Sequence, residues 1–222
     1  MIAQKSVCAI VGVGPGLGLA VGRRFGEEGM RVVLLARRAD ELAGHVAHLR
    51  ATGIEAHATP VDAADPVAID AAFAAIAAEH GAPDVLVYNA MAARPAVPSA
   101  LAPAALLDEL RVNLVGALVS VQAVLPAMRT RGRGTVLLTG GGLGLEPMPR
   151  MASLSLGKAA LRNLALSFNK ELADHGVHVA TVTICGFIRA GTAFDPEKLA
   201  RHYWELHAQP REQWQAERVI RG

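Results

Sequence analysis

Aromatic residues and cysteine are scarce in this 222-residue sequence. Phe, Trp and Tyr make up only 4% of it, with just two tyrosines, and hydrophobic residues of all kinds make up 52%. The two cysteines, Cys8 and Cys185, belong to no CxxC pair and stand beside no close histidine pair. This scarcity disfavours a zinc site or a disulfide framework and favours reduced thiols in the cytoplasm.

The sequence also lacks any concentration of charge or long apolar run. The formal net charge is +2, and the basic residues are scattered. We therefore expect neither nucleic acid nor a membrane surface as a partner, and no segment reaches the roughly 20 apolar residues of a membrane span. The apolar stretch 7–21 holds four glycines and a proline and continues into a helical pattern, unlike a signal peptide. These features predict a soluble, cytoplasmic protein.

Short apolar runs alternate with longer helical patterns along the chain. Strands are predicted at 6–11, 31–36, 54–61, 84–89, 134–139 and 177–184, and helices at 17–28, 39–51, 66–80, 103–131 and 151–175. Unalternated apolar strands separated by helices indicate a parallel sheet that is covered on both faces, with right-handed crossovers. We therefore predict a single α/β domain over residues 1–222, doubly wound in the Rossmann manner.

The segment 195–222 differs in composition, since it carries both tryptophans, Tyr203 and much charge. Leu199, Tyr203 and Leu206 recur at helical spacing, which predicts short amphipathic helices that cover the substrate side of the sheet. A subunit contact is the alternative use of these residues. Only Val219-Ile220 remains for a seventh strand, so at most a vestigial one is expected.

Glycines cluster between the first predicted strand and the first predicted helix. A pyrophosphate needs backbone N–H donors, close approach without a Cβ, and a helix N-terminus directed at its charge. Tight turns also use glycine, but this position between an apolar strand and an apolar helix favours a dinucleotide site. The predicted contacts are Gly12, Gly14, Gly16, Leu17 and Gly18.

The spacing of Gly12, Gly16 and Gly18 resembles that of the short-chain dehydrogenase/reductase family, and the resemblance extends over about residues 6–192. The matching segments are Val61-Asp62-Ala63, Tyr88-Asn89-Ala90-Met91, Asn113-Leu114-Val115-Gly116, Ser155-Leu156-Gly157-Lys158-Ala159-Ala160-Leu161 and Cys185-Gly186-Phe187-Ile188. The resemblance implies the strand order 3-2-1-4-5-6 and a homodimer or homotetramer. It implies cofactor contacts at Asp62, Ala63, Asn89, Ala90, Lys158, Gly186 and Ile188, and catalytic support from Asn113 and Lys158.

The end of the second predicted strand bears on the choice of cofactor. NAD sites of this type place a carboxylate there for the ribose hydroxyls. Here the sequence reads Ala36-Arg37-Arg38, with no acid before Asp40. Because arginine binds a phosphate bidentately, Arg37 and Arg38 predict NADP(H) in preference to NAD(H). A solvated basic turn is the alternative interpretation.

The hydroxyls that serve catalysis in the family are missing at the matching positions. The resemblance places a proton-transferring tyrosine four residues before Lys158, where Leu154 stands, and a serine thirteen residues earlier, where Gly141 stands. Neither tyrosine of the chain has a lysine four residues beyond it. The candidate substitutes are Thr139, Ser153, Ser155, Cys185, His202 and His207.

Two functions remain open from the sequence. The chain is either an NADP(H)-dependent oxidoreductase that transfers hydride to or from a small carbonyl, alcohol or activated C=C or C=N bond, or a non-catalytic NADP(H)-binding protein that senses the cofactor or supports a protein partner. Non-redox chemistry is a third alternative, but the sequence offers it no triad, metal cluster or carboxylate pair.

Overall fold

Seven parallel strands, most of them buried on both faces, form the centre of the computed structural model, which describes residues 5–222. The strands are β1 Val7–Val11, β2 Arg31–Ala36, β3 Ala56–Pro60, β4 Val85–Tyr88, β5 Gly134–Gly141, β6 Val177–Ile184 and β7 Glu217–Ile220. The helices are α1 Leu17–Glu27, α2 Ala39–Ala51, α3 Pro66–His80, α4 Pro103–Leu110, α5 Gly116–Arg131, α6 Ala152–Leu172 and α7 Pro196–His207.

The strand order is β3-β2-β1-β4-β5-β6-β7, and every pairing is parallel. The predicted doubly wound α/β fold and the order of its first six strands are therefore confirmed. The order reverses between β1 and β4, and a crevice opens at the carboxyl ends of parallel strands where such a reversal occurs.

Helices cover both faces of the sheet. One face packs against α3, α5 and α6 through side chains such as Phe73, Val121 and Leu161. The other packs against α1, α2 and α7 through side chains such as Phe25, Leu49 and Tyr203. The small, branched strand residues between them let the helices approach closely, as the composition indicates.

The helix predicted over 103–131 is interrupted. Residues Arg111–Val115 form a π-helical turn between α4 and α5, and Asn113 lies in this turn. The whole run Pro103–Arg131 is long and apolar enough to cross a membrane by length and composition. In this fold, however, Val121, Val124 and Met128 pack into the core beside the sheet. These side chains make α5 a core helix of the α/β unit.

The C-terminal segment departs from its prediction in two ways. Helix α7 does not cover the carboxyl edge of the sheet, because Leu199, Tyr203 and Leu206 are buried against α1 and the sheet face. The seventh strand is more than a vestige, since β7 pairs with Thr181–Ile184 over four residues. Glu217 fixes it by accepting hydrogen bonds from Arg162 and Thr183.

Several predicted bounds shift by one to three residues. The third strand begins at Ala56 because Gly53 turns with a positive φ and the Ile54 amide still bonds to the α2 carbonyl of Leu49. Strand β5 runs two residues beyond its prediction, through Gly140 and Gly141. Helix α6 ends at Leu172 and continues as a 3-10 turn to His175.

Candidate functional site

One cavity of about 1520 Å³ opens at the carboxyl ends of the strands. It exceeds the roughly 300–1,000 Å³ of an ordinary ligand pocket. Every residue that the sequence predicts as a cofactor contact lines it: Gly12, Gly14, Gly16, Leu17, Gly18, Arg37, Arg38, Asp62, Ala63, Asn89, Ala90, Lys158, Gly186 and Ile188.

The glycine loop takes its shape because two of its residues have no room for a Cβ atom. Gly12 has a φ of +88°, and a Cβ there would stand 2.2 Å from the Ala90 amide nitrogen. A Cβ at Gly18 would stand 2.9 Å from the Gly12 carbonyl oxygen, so α1 approaches the loop only without one. Gly14 and Gly16 by contrast have no atom within 4 Å of a Cβ position. Their open sides leave room for a ligand.

The N-terminus of α1 faces the same space. Gly16 caps the helix without a side-chain hydrogen bond, and the first turn has no acidic residue. The first N–H groups of a helix have no partner within the helix, and the helix dipole favours an anion there. The loop and the helix together provide a cradle for a pyrophosphate.

The end of β2 gives the cavity its charged corner. Arg38 forms an ion pair with Glu41 at 2.7 Å, and both residues line the cavity. Within the described residues 5–222, no carboxylate lies within 4.0 Å of the Arg37 guanidinium, which is exposed at the cavity wall. Glu41 is a lining residue that the sequence did not predict. Its position three residues after Arg38 is the spacing at which an ion pair forms along a helix.

The segment after β4 holds the glycine loop in place. The side-chain amide of Asn89 donates to the Gly12 carbonyl at 2.8 Å. Tyr88 is fully buried, and its hydroxyl donates to the Val112 carbonyl in the π-helical turn. Burial raises the pKa of Tyr88, so its phenol stays protonated. Tyr88 is therefore part of the scaffold and lies outside the cavity lining.

Asn113, for which the family resemblance implies catalytic support, is not among the described residues that line the cavity. Its side-chain amide donates to the Ala92 carbonyl at 2.7 Å and accepts from the Ala92 N–H at 2.8 Å. Because the π-helical turn directs Asn113 at the loop after β4, the residue fixes a segment that itself lines the cavity. In the structure, Asn113 therefore positions the Ala92 segment from behind the cavity wall.

Lys158 lies on α6 and reaches the cavity. Its Nζ donates to the Thr139 carbonyl at 2.6 Å, and the residue is only 8% exposed. Burial lowers the pKa of Lys158 to about 8. No carboxylate of the described chain is paired with it, so the ammonium keeps two donors for a ligand.

Comparisons with known proteins agree with this geometry. The family model for short chain dehydrogenases matches residues 6–199. The chain belongs to the short-chain dehydrogenase family. The oxidoreductase asL5 of Sarocladium schorii is 32% identical over 171 residues, covering 77% of this chain and 67% of that protein.

Solved structures of the family share the whole fold. A metagenomic short-chain oxidoreductase in complex with NADP is 30% identical, with a TM-score of 0.89 and coverage of 98% of both chains. A variant of actinorhodin polyketide ketoreductase with NADPH is 26% identical, with a TM-score of 0.90, covering 99% of this chain and 97% of that one. The predicted family is therefore confirmed.

In this short-chain dehydrogenase, the two positions that the sequence comparison matches to catalytic hydroxyls, Leu154 and Gly141, both line the cavity. Leu154 is 8% exposed at the cavity wall, and Gly141 stands opposite the lysine stem. A Cβ at Gly141 would lie 3.6 Å from the Lys158 methylene carbons, an ordinary contact distance. The backbone thus has room for a serine at Gly141.

Most of the candidate substitutes do not reach this wall. Ser153 is buried and hydrogen bonded to Glu109, whereas Ser155 accepts from the Met148 amide and donates to the Met151 carbonyl. His202 and His207 belong to α7, and His207 is hydrogen bonded to Thr135 at 2.9 Å. Of the described candidates, only Thr139 and Cys185 line the cavity.

Thr139 carries a hydroxyl that is already hydrogen bonded, and Cys185 carries a thiol. The Thr139 hydroxyl shares a 2.8 Å hydrogen bond with the Tyr203 phenol of α7. Cys185 lines the cavity beside Gly142, with its Sγ 3.9 Å from the Thr183 carbonyl. The adjacent Gly186 has no space for a side chain, because a Cβ would stand 2.1 Å from the Phe194 ring.

Proposed function

We propose that this short-chain dehydrogenase binds NADP(H) in preference to NAD(H) and transfers a hydride between the nicotinamide and a small carbonyl, alcohol or activated double bond, without the usual tyrosine acid. The carrying observation is the single cavity that gathers all fourteen predicted cofactor contacts and an unpaired arginine. The two NADP(H) complexes among its structural relatives support the same assignment.

The described residues fit the cofactor in chemistry and shape. The open Gly14 and Gly16 and the α1 N-terminus suit the pyrophosphate, and Arg37 suits a 2′-phosphate. Thr139 leaves two donors of the Lys158 ammonium group free, and one of them would donate to a ribose hydroxyl. When bound, the nicotinamide supplies or accepts the hydride.

A non-catalytic NADP(H)-binding protein is the second candidate. It is favoured by the apolar Leu154 and the hydroxyl-free Gly141 at the wall beside Lys158. A general acid is typically worth roughly 10²–10⁴-fold in rate, so its absence would leave slow carbonyl chemistry or none. Binding without turnover of any carbonyl or double-bond substrate would identify this candidate.

The first test is a fluorescence titration of wild type and Arg37→Ala with NADPH and with NADH. We expect Arg37→Ala to weaken NADPH binding about tenfold or more and to leave NADH binding unchanged, because only NADPH carries the 2′-phosphate. Arg133→Ala is the matched control, since Arg133 is exposed and lies outside the cavity lining. Failure of wild type to bind either nucleotide would refute the proposal.

We also propose the homodimer or homotetramer that the family resemblance implies. A second cavity between α5 and α6 is lined by Leu118, Leu125, Leu164 and Phe168, together with the polar residues Gln122, Arg129, Ser167 and Glu171. Two copies packed through these helices would cover it. Analytical ultracentrifugation tests the assembly, and a monomer at micromolar concentration would contradict it.

A further inference from the structure

The half of the cavity around Lys158 and Leu154 contains almost no hydroxyl. Thr139 is the one hydroxyl-bearing residue among the described residues that line the entire cavity, and that lining includes neither tyrosine nor histidine. The Thr139 hydroxyl is already hydrogen bonded to Tyr203. A substrate in this half therefore meets, among the described lining residues, one side-chain hydroxyl, and that hydroxyl is already engaged by Tyr203.

The walls of this half are apolar and adaptable. They are formed by Met91, Leu143, Leu145, Met148, Met151 and Leu154. Met91 is 55% exposed and Met148 is 42% exposed, so both present thioether side chains to an incoming ligand. Methionine adjusts to irregular apolar shapes. The charged residues Glu146 and Arg150 also line the cavity but are exposed to solvent, and the leucine and methionine side chains of the remaining wall suit an apolar body.

Lys158 is the buried charge of this half. Its ammonium group contacts the Thr139 carbonyl and no carboxylate of the described chain. In a poorly solvated site, such a fixed positive charge stabilises a developing negative charge more strongly than it would in water. The site therefore favours reactions that place diffuse negative charge on a substrate oxygen.

Two hydride transfers to carbonyl compounds differ in what they demand of such a site. Hydride addition to the carbon of an isolated carbonyl leaves an alkoxide, a strong base that needs a matched acid beside it. Hydride addition to the β-carbon of an α,β-unsaturated carbonyl leaves an enolate, which is much less basic because its charge is delocalised. Electrostatic stabilisation is sufficient for the enolate, and the proton can arrive later on carbon.

We propose that this chain reduces the C=C bond of apolar, uncharged α,β-unsaturated carbonyl compounds, with Lys158 stabilising the enolate oxygen. The inference rests on the proposed NADP(H) site. In the balanced reaction, NADPH gives one hydride to the β-carbon and is oxidised to NADP⁺. The C=C π pair forms the enolate, and water protonates the α-carbon, leaving a saturated ketone and hydroxide that the buffer neutralises.

The test compares an enone with its own reduction product. Wild type is incubated with NADPH and either 4-phenylbut-3-en-2-one or the saturated 4-phenylbutan-2-one, and the products are separated by gas chromatography. We expect the enone to yield the saturated ketone, which is then not reduced further, with rates differing about 100-fold or more. Deuteride from labelled NADPH should appear at the β-carbon, and deuterium from D₂O at the α-carbon.

Matched variants test whether Leu154 and Gly141 determine which bond is reduced. Leu154→Tyr with Gly141→Ser supplies two hydroxyls, and we expect it to gain reduction of the saturated ketone by about 100-fold. Gly141→Ser alone is the conservative version, since its Cβ meets only ordinary contacts. Leu156→Tyr is the control, because Leu156 is exposed on the same helix and outside the cavity lining. Thermal melts establish that each variant folds.

The outcomes separate this inference from the proposed function. Formation of an allylic alcohol from the enone, or equal reduction of the saturated ketone, would overturn the preference for C=C reduction. No product from the enone, with NADPH bound normally in the titration, would overturn it as well and leave the cofactor site standing. No NADPH binding would refute the proposed function itself.

Discussion

The two ends of the large cavity are built from different kinds of groups. At the glycine-loop end, the ligand-facing groups are open main-chain positions at Gly14 and Gly16, a helix N-terminus and the Arg37 guanidinium. At the far end they are leucine and methionine side chains around one buried lysine. The first end is polar and suits dinucleotides in general, whereas the second is mainly apolar and, among its described residues, has Thr139 as its one hydroxyl-bearing side chain.

The difference shows how cofactor binding and chemistry depend on separate parts of one fold. Cofactor binding here uses backbone geometry that is tied into the sheet through Gly12 and Asn89. The side chains on which the proposed reaction depends belong instead to α6, which carries Leu154 and Lys158, and they stand opposite Gly141 of β5. The proposed reaction and the nucleotide cradle therefore use different elements of one fold.

The largest expected effect is at the glycine-loop end. Gly12→Val should cost several kcal/mol of unfolding free energy and abolish NADPH binding, because φ is +88° and the Cβ would meet the Ala90 backbone. Urea unfolding and nucleotide titration measure both effects. Gly14→Ala is the matched control, since its Cβ meets no atom; it should fold normally and weaken only NADPH binding. A stable Gly12→Val with normal affinity would contradict this account of the loop.

The next effect concerns Lys158 at the far end. Its folded pKa of about 8 lies below the ordinary 10.5, so below pH 8 the wild type bears the full cost of burying an ammonium group. That cost disappears as pH rises toward 10.5, where the unfolded chain also loses the proton. Lys158→Met should therefore raise the unfolding free energy at pH 7 by on the order of 2–3 kcal/mol, and the gain should shrink by pH 10.

Chemical denaturation at pH 7, 8, 9 and 10 measures this gain. Lys170→Met is the control, because it removes an exposed lysine from the same helix. The same Lys158→Met protein should bind NADPH more weakly. A loss of stability at pH 7 that shrinks as the pH rises would show that the buried ammonium is stabilising, contrary to this expectation.

Asn113 lies behind the cavity wall and holds Ala92, a residue of that wall, through two hydrogen bonds. Asn113→Ala leaves the Ala92 N–H and carbonyl without their partner and should cost about 1–3 kcal/mol. Hydrogen exchange at the Ala92 amide should accelerate, which a general loss of helix packing would not single out. Asn163→Ala on the exposed face of α6 serves as the control. Unchanged exchange at Ala92 would refute the positioning role.

The sequence predicts the fold and the glycine-loop end well, because both follow from local patterns. Strand and helix periods identify the sheet, and the spacing of Gly12, Gly16 and Gly18 identifies the loop. Interruptions that depend on tertiary contacts are not predicted. The π-helical turn at Asn113 has no local signal, since it is fixed by bonds to Ala92 and by Tyr88 from another element.

The far end is predicted only in part. Counting residues from Lys158 identifies Leu154 and Gly141, but it does not show where the substitute hydroxyls lie. Tyr203 is predicted to cover the substrate side of the sheet. It is instead buried between α7 and the sheet face that α1 also covers, where its hydroxyl is hydrogen bonded to the Thr139 hydroxyl. Contacts between residues 64 positions apart require the folded chain.

The smallest expected effect tests whether that contact shapes the chemistry. Tyr203→Phe leaves the buried Thr139 hydroxyl unpaired and should cost about 1 kcal/mol of unfolding free energy, measured in urea. Thr139→Val combined with Tyr203→Phe should recover part of that loss, because both polar partners are then removed. Since the Thr139 side chain still faces α7, neither variant should gain reduction of a saturated ketone. If Tyr203→Phe did gain it, the phenol would be withholding a proton donor from the cavity, and the far end would be a masked carbonyl site instead of one suited to C=C reduction.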